Sequence, residues 1–175
     1  QDLFKESILF YRPALTPLSV FSDNPSEVIH YEGPQSVNTG VSLASHLGAS
    51  SVLFVGVDLG TPDLDSKRSI NAAGVCERDF PLEADGNFDT KIFTNKLMLD
   101  SQTSIETVIK CFPDISYFNA SAGVKINGAQ PIPLDDYSLL EFESSVDIHG
   151  PLIDWKSKLT RYTPERFAAN WKARS

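Results

Sequence analysis

The chain has 175 residues, 41% of them hydrophobic and 10% aromatic, which is enough for the packed core of one ordinary domain and too apolar for wholesale disorder. Its formal net charge of −8, with no Lys/Arg stripe to offset it, argues against a nucleic-acid backbone or an anionic membrane surface as partner. An anionic small molecule held by backbone N–H groups stays open. No run approaches the ~18 consecutive apolar residues of a membrane span. No secretory signal opens the chain, so a cytoplasmic location with reduced Cys76 and Cys111 is expected. The sequence starts at Gln1 without a methionine and reads as a piece of something longer.

In chain order, Ile8-Leu9-Phe10-Tyr11 and Leu18-Ser19-Val20-Phe21 are short β-type runs, each closed by a turn containing proline. Gly33-Pro34 precedes a helix expected over residues 36–47, with Val37, Val41, Leu43, Ala44 and Leu47 at helical spacing. Ser36 fits its N-cap and Gly48 its C′ position. An apolar strand, Val52-Leu53-Phe54-Val55, follows and stops at Gly56-Val57-Asp58-Leu59-Gly60. A helix feeding a strand this closely is typical of α/β units with a parallel sheet.

Residues 60–78 read as a long polar loop. Asp85-Gly86-Asn87 between two short runs signals a hairpin. A helix is expected from about 91 to 111, with Phe93, Leu97, Ile105, Val108, Ile109 and Phe112 on its apolar face and a possible break at Ser101-Gln102-Thr103-Ser104. Ile115-Ser116-Tyr117-Phe118 is a further strand that, like the first, runs into small and polar residues, here Asn119-Ala120-Ser121-Ala122-Gly123. Two such strand ends side by side make a crevice in an open α/β sheet. The tail changes character: Leu152, Ile153, Trp155 and Leu159 suit one helix, and Thr163-Pro164-Glu165 reads as N-cap, N1 proline and acidic first turn of another. Residues 1–149 are thus expected to form the α/β domain and 150–175 a helical segment.

Chemistry-bearing residues are few. His30, His46 and His149 lie apart, and no Gly-x-Ser-x-Gly elbow is present. Asp58, Asp63 and Asp65 are oxygen ligands of the type a hard cation takes, but their spacing matches no calcium loop and a solvated acidic loop explains them better. Neither Gly-x-Gly-x-x-Gly nor a Walker pattern occurs. Asn119 and Ser121, at a strand's carboxyl end, carry an amide and a hydroxyl suited to recognising a base, a sugar or a pterin edge. The alternative is a turn that satisfies its own backbone.

Four segments, taken together, resemble one family. They are Gly33-Pro34-Gln35-Ser36-Val37-Asn38-Thr39-Gly40, Val55-Gly56-Val57-Asp58-Leu59, Asp85-Gly86-Asn87-Phe88-Asp89-Thr90 and Asn119-Ala120-Ser121-Ala122-Gly123-Val124-Lys125-Ile126-Asn127-Gly128-Ala129. In order and spacing they are similar to the domain shared by bacterial motility-associated-factor glycosyltransferases and archaeal 6-hydroxymethylpterin diphosphokinases, over about residues 30–130. The resemblance implies a Rossmann-like, sialyltransferase-like α/β fold, a three-layer sandwich with a mostly parallel sheet, followed by C-terminal helices. The family's Gly-x-Gly-Pro-Ser-Leu turn does not occur here, and Val57 stands where the family's Gly-Gln-Asp-Leu has glutamine. The chain therefore reads as the second half of the domain, or as a divergent member.

The glycosyltransferase branch implies transfer of a nonulosonic sugar from a CMP-activated donor to Ser/Thr hydroxyls of a protein such as flagellin, with no cofactor. Asp58 is then the candidate catalytic residue, and Ser36, Asn38, Thr39, Asn119 and Ser121 the candidate nucleotide and substrate contacts. The diphosphokinase branch implies Mg2+ and ATP, with Asp58, Asp63 and Asp65 facing the metal. A binding or scaffold domain that kept the fold without the Gly-rich loop is the non-enzyme alternative.

Overall fold

The structure is a computed structural model, and it describes residues 28–65, 79–88, 90–139, 149–159 and 163–174. Two compact units divide the chain. One spans Tyr31–Ser145 and holds the sheet; the C-terminal helices belong to the other. The apolar runs at 8–11 and 18–21, Cys76 and most of the long polar loop lie outside the described residues.

In the first unit the order is α1 (Ser36–His46), β1 (Ser51–Phe54), β2 (Leu82–Asp85), β3 (Lys91–Thr94), α2 (Lys96–Cys111), β4 (Ser116–Asn119), β5 (Gln130–Pro131) and a 3-10 helix (Leu134–Leu139). The sheet order is β1-β4-β5, and both pairings are parallel, with Phe54 opposite Asn119 and Asn119 opposite Pro131. Parallel neighbours need a crossover, and the stretch from β1 to β4 supplies one that contains the β2–β3 ribbon and α2. The expected α/β class with a mostly parallel sheet is what forms.

The helix α1 starts where expected, but Gln35 rather than Ser36 occupies the N-cap. The reason is local: Asn38 Oδ1, at N3, reaches back to accept the Gln35 N–H at 3.1 Å. Gly48 closes the helix with φ +82, a left-handed conformation that glycine takes without a Cβ penalty. Sheet and helix then lock through Tyr117 of β4. Its ring stacks on Phe54 of β1 with centroids 6.4 Å apart, and its hydroxyl donates to Ser45 Oγ at 2.9 Å while Ser45 donates to the Val41 carbonyl. Burial pushes the Tyr117 phenol above its ordinary value, against the opposing effect of the Ser45 hydrogen bond.

The helix expected from residue 91 begins later. Lys91–Thr94 is a strand paired antiparallel with Leu82–Asp85, Ile92 and Thr94 being buried while Lys91 is exposed. Asn95 then caps α2, its side chain accepting the Met98 N–H. Nor is α2 broken at 101–104. Thr103 donates back to the Leu99 carbonyl and Thr107 to the Thr103 carbonyl, each at i−4, while the Ser101 hydroxyl finds a partner on α1. Leu97, expected on the apolar face, is 56% exposed; Met98 is buried in its place. One core cluster joins Val41, Phe54, Ile92, Ile105, Val108 and Ile126 from these elements.

In the second unit, α3 (His149–Lys158) and α4 (Pro164–Arg174) form where the tail's sequence predicts helices. Thr163 Oγ1 accepts the Arg166 N–H, and the same hydroxyl holds the Glu165 carboxyl below its ordinary value.

Candidate functional site

The carboxyl ends of β1 and β4 lie side by side, and the chain leaving each one builds the site. Segment 56–60, after β1, forms one wall of a cleft of about 330 Å³. The first turn of α1, through Gln35, Ser36 and Val37, forms another, and Phe80 and Met98 complete the lining. Its volume falls at the lower end of ligand-sized clefts, roughly 300–1,000 Å³.

Asp58 lines this cleft with its side chain open to solvent on one side. Crowding on the other side removes water from the carboxyl and raises its pKa above the ordinary 3.8. The segment that carries it is tethered residue by residue. The Val57 N–H donates to Ser121 Oγ at 2.8 Å, and the Asp58 carbonyl accepts the Val124 N–H at 2.7 Å. The Leu59 carbonyl accepts the Thr94 hydroxyl at 2.7 Å, and Thr61 exchanges two backbone bonds with Phe93 at 2.9 and 2.8 Å. Leu59 itself has φ +51, an uncommon conformation for a bulky side chain.

Segment 119–124, after β4, is buttressed in turn by the β2–β3 turn. Asn87 Nδ2 donates to the carbonyls of Asn119 and Ser121 at 2.8 and 3.0 Å, and its backbone N–H donates to the Gly123 carbonyl. Asn119 Oδ1 accepts the Ser121 N–H, the turn that its sequence allowed. Two buried atoms in this cluster, Asn119 Nδ2 and Asn87 Oδ1, have no hydrogen-bond partner among the described residues.

The candidate residues therefore fall into separate places. Ser36 and Asp58 share the cleft. Asn119 and Ser121 are buried beside each other without lining it, Ser121 meeting the cleft wall at Val57. Thr39 donates to the Glu32 carbonyl at 2.9 Å. Asn38 is fully buried with its amide committed between helices: Nδ2 donates to the Ser101 carbonyl at 2.9 Å, and Oδ1 accepts the Ser101 hydroxyl at 2.6 Å. Asp63 and Asp65 do not join Asp58 in a ligand set. Asp63 accepts the Asp65 N–H in a local turn, and no group of three His, Cys, Asp or Glu residues suited to a metal forms among the described residues. The donor set that magnesium would need at Asp58, Asp63 and Asp65 is thus not assembled here.

Nothing in the sequence marks Phe80, Met98 or Thr94 as part of a site, and Gln35 enters it only within the segment Gly33-Pro34-Gln35-Ser36. Phe80 and Met98 carried only the signature of core residues, and Thr94 that of a strand. His46 points Nδ1 to the Ser42 carbonyl at 2.8 Å on its own helix, away from any constellation, and Cys111 ends α2 with its thiol exposed.

No family model matches the chain, and a search of curated proteins found no match. Among solved structures, the MAf glycosyltransferase from Magnetospirillum magneticum AMB-1 is similar with a TM-score of 0.72 and 26% sequence identity, covering 98% of this chain. The fold is MAf-like. The resemblance carried by the four sequence segments thus reappears as a likeness in three dimensions. The MAf-like chain spans 26% of the length of that glycosyltransferase. No helix among its described residues is long and apolar enough to cross a membrane.

Proposed function

We propose that this MAf-like chain is part of a glycosyltransferase that moves a nonulosonic sugar from a CMP-activated donor to a Ser/Thr hydroxyl of a protein of the flagellin type. The observation that carries this reading is the cleft itself. A carboxylate of raised pKa and a helix N-terminus face one ligand-sized space at the end of a parallel sheet, in a chain whose fold is similar to a glycosyltransferase.

Each wall has a task in that reaction. The first-turn N–H groups of a helix have no intrahelical acceptor and sit at the positive end of its dipole, so the turn at Ser36 and Val37 receives the donor phosphate. As the acceptor oxygen bonds to the sugar's anomeric carbon, the bond from that carbon to the phosphate oxygen breaks. CMP departs with the electron pair, and the acceptor's proton passes to the Asp58 carboxylate. Desolvation of Asp58 favours this step, because a base whose pKa lies closer to the working pH holds the proton better. Asn119 and Ser121 act from behind the wall in this scheme, with Ser121 fixing the strand-end segment at Val57.

The test uses the full-length protein. Calorimetry with CMP should show binding, and CMP release in the presence of acceptor should fall about 100-fold or more in Asp58→Asn with CMP affinity kept. Absence of CMP binding, or full turnover by Asp58→Asn, would sink the reading. The diphosphate-transfer alternative gains nothing from the separated Asp63 and Asp65.

A further inference from the structure

The segment that carries Asp58 adopts a conformation its own sequence disfavours, and something outside it must hold it there. Leu59 has φ +51 with a branched side chain 6% exposed, where glycine or asparagine is the ordinary choice. Such a residue persists only where its surroundings over-determine it, and these residues cluster at functional sites. Four tethers hold segment 57–61: Ser121 Oγ on the Val57 N–H, the Val124 N–H on the Asp58 carbonyl, the Thr94 hydroxyl on the Leu59 carbonyl, and the Phe93 backbone on Thr61. Two of the four come from side chains. Of these, Thr94 acts on the left-handed residue directly.

We propose that Thr94 is a positioning residue for Asp58, its buried hydroxyl holding Leu59 in the left-handed turn that presents the Asp58 carboxylate to the cleft. Thr94 has no exposed surface and ends β3, so nothing in solvent competes for its hydroxyl. Strand formation does not require that hydroxyl, since valine has the same shape and an equal preference for a strand. The hydroxyl is spent across 35 positions of sequence on the one carbonyl that follows the cleft carboxylate. With that donor gone, the Leu59 peptide is free to rotate toward an ordinary backbone, and Asp58 turns with it.

The proposal rests on Asp58 acting in the cleft, and the experiment separates the two. In the full-length protein, Thr94→Val should lower kcat about 10-fold or more with the donor KM kept within about twofold, since small misplacements of a reacting group cost that much. In the same variant the Asp58 carboxyl, followed by carbon-13 NMR through a pH titration, should move toward its ordinary range. Thr94→Ser, which keeps the hydroxyl, should restore both. Should Thr94→Val fail to fold, Thr94→Ala takes its place, since it too removes the hydroxyl from the Leu59 carbonyl, and the same two changes are expected. An unchanged Asp58 titration in the folded variant, or an equal loss in Thr94→Ser, overturns the proposal. Full turnover by Asp58→Asn instead removes the catalytic reading, while the titration still decides whether Thr94 positions the carboxylate.

Discussion

Gly123 and Asp58 meet backbone to backbone: a β-carbon on Gly123 would overlap the Asp58 carbonyl oxygen, and the next amide, Val124 N–H, donates to that oxygen at 2.7 Å. The segments leaving β1 and β4 are thereby pressed into one unit, and glycine is required for closeness rather than for a special φ. Gly123→Ala must push the two segments apart. Strain of this kind costs about 1–3 kcal/mol, so a drop in melting temperature of roughly 2–10 °C is expected for a chain of this size. Gly40 provides the control. It lies inside α1 with open space around it, and Gly40→Ala should stabilise by about 0.5–1 kcal/mol through helix propensity alone. Thermal melts of the two variants should move in opposite directions.

Asn38 and Ser101 form a closed pair between α1 and α2, with both residues fully buried. Removing the Asn38 amide leaves the buried Ser101 hydroxyl without its acceptor, at about 1–3 kcal/mol, whereas removing the Ser101 hydroxyl leaves Asn38 Nδ2 on the Ser101 carbonyl and Oδ1 on the Gln35 N–H. Asn38→Ala is expected to destabilise by that amount, and Ser101→Ala by the smaller worth of one hydrogen bond, about 0.5–1.5 kcal/mol. The double variant should cost less than the two together by about 0.5–3 kcal/mol, because the second removal takes away the stranded partner. Urea melts of the four proteins in the cycle measure the coupling. Additive losses would mean that the amide's importance lies elsewhere.

Asp58 links the cleft to folding stability through pH. Its folded pKa is raised above the ordinary 3.8 by desolvation, so the native state holds its proton more tightly than the unfolded chain does. Below 3.8 the carboxyl is protonated in both states and contributes nothing. As pH rises through the interval up to the folded pKa, ionisation costs the native state more than the unfolded one, and the full cost is present at neutral pH. Asp58→Asn should therefore raise the melting temperature at pH 7, and the gain should vanish near pH 3. Stabilisation together with the turnover loss proposed for Asp58→Asn is the pattern expected where activity needs a disfavoured group.

How much of this was legible in the sequence depended on whether the deciding partner was near in the chain. Strands β1 and β4 stood out because apolar runs ended on Gly56 and Asn119, and their parallel pairing follows from the helix before each one. The strand at Lys91–Thr94 was hidden because Phe93 and Leu97 continue the helical spacing of Ile105 and Ile109; only the Asn95 cap marks the true start. The apparent break at 101–104 was misleading because polar side chains in a helix look like a stop until their partners are known. One of those partners, Asn38, is 63 positions away. The same distance hid the task of Asn38, since a polar residue on a helix face reads alike whether it meets a ligand or another helix. Leu59 was the least legible: its side chain is a poor choice for φ +51, and the hydroxyl that holds it belongs to Thr94.

Asn87 carries the last test, because its one side chain supports the β4 segment that lies behind the cleft wall. Its Nδ2 satisfies the carbonyls of both Asn119 and Ser121, and it is 5% exposed. Asn87→Ala strands the Ser121 carbonyl, while the Asn119 carbonyl keeps the Ile132 N–H at 3.0 Å, and a loss of about 1–3 kcal/mol is expected for the unmade buried bond. Asn87→Asp keeps the shape but replaces the donating amide with an acceptor facing two carbonyl oxygens, so it should fare no better than alanine at neutral pH. Acidification should recover part of the aspartate loss, since a protonated carboxyl can donate to one of the two. Chemical denaturation of both variants at pH 7 and pH 4 checks this. Equal stability of Asn87→Asp and the parent at pH 7 would show that the turn does not support the β4 segment through its amide.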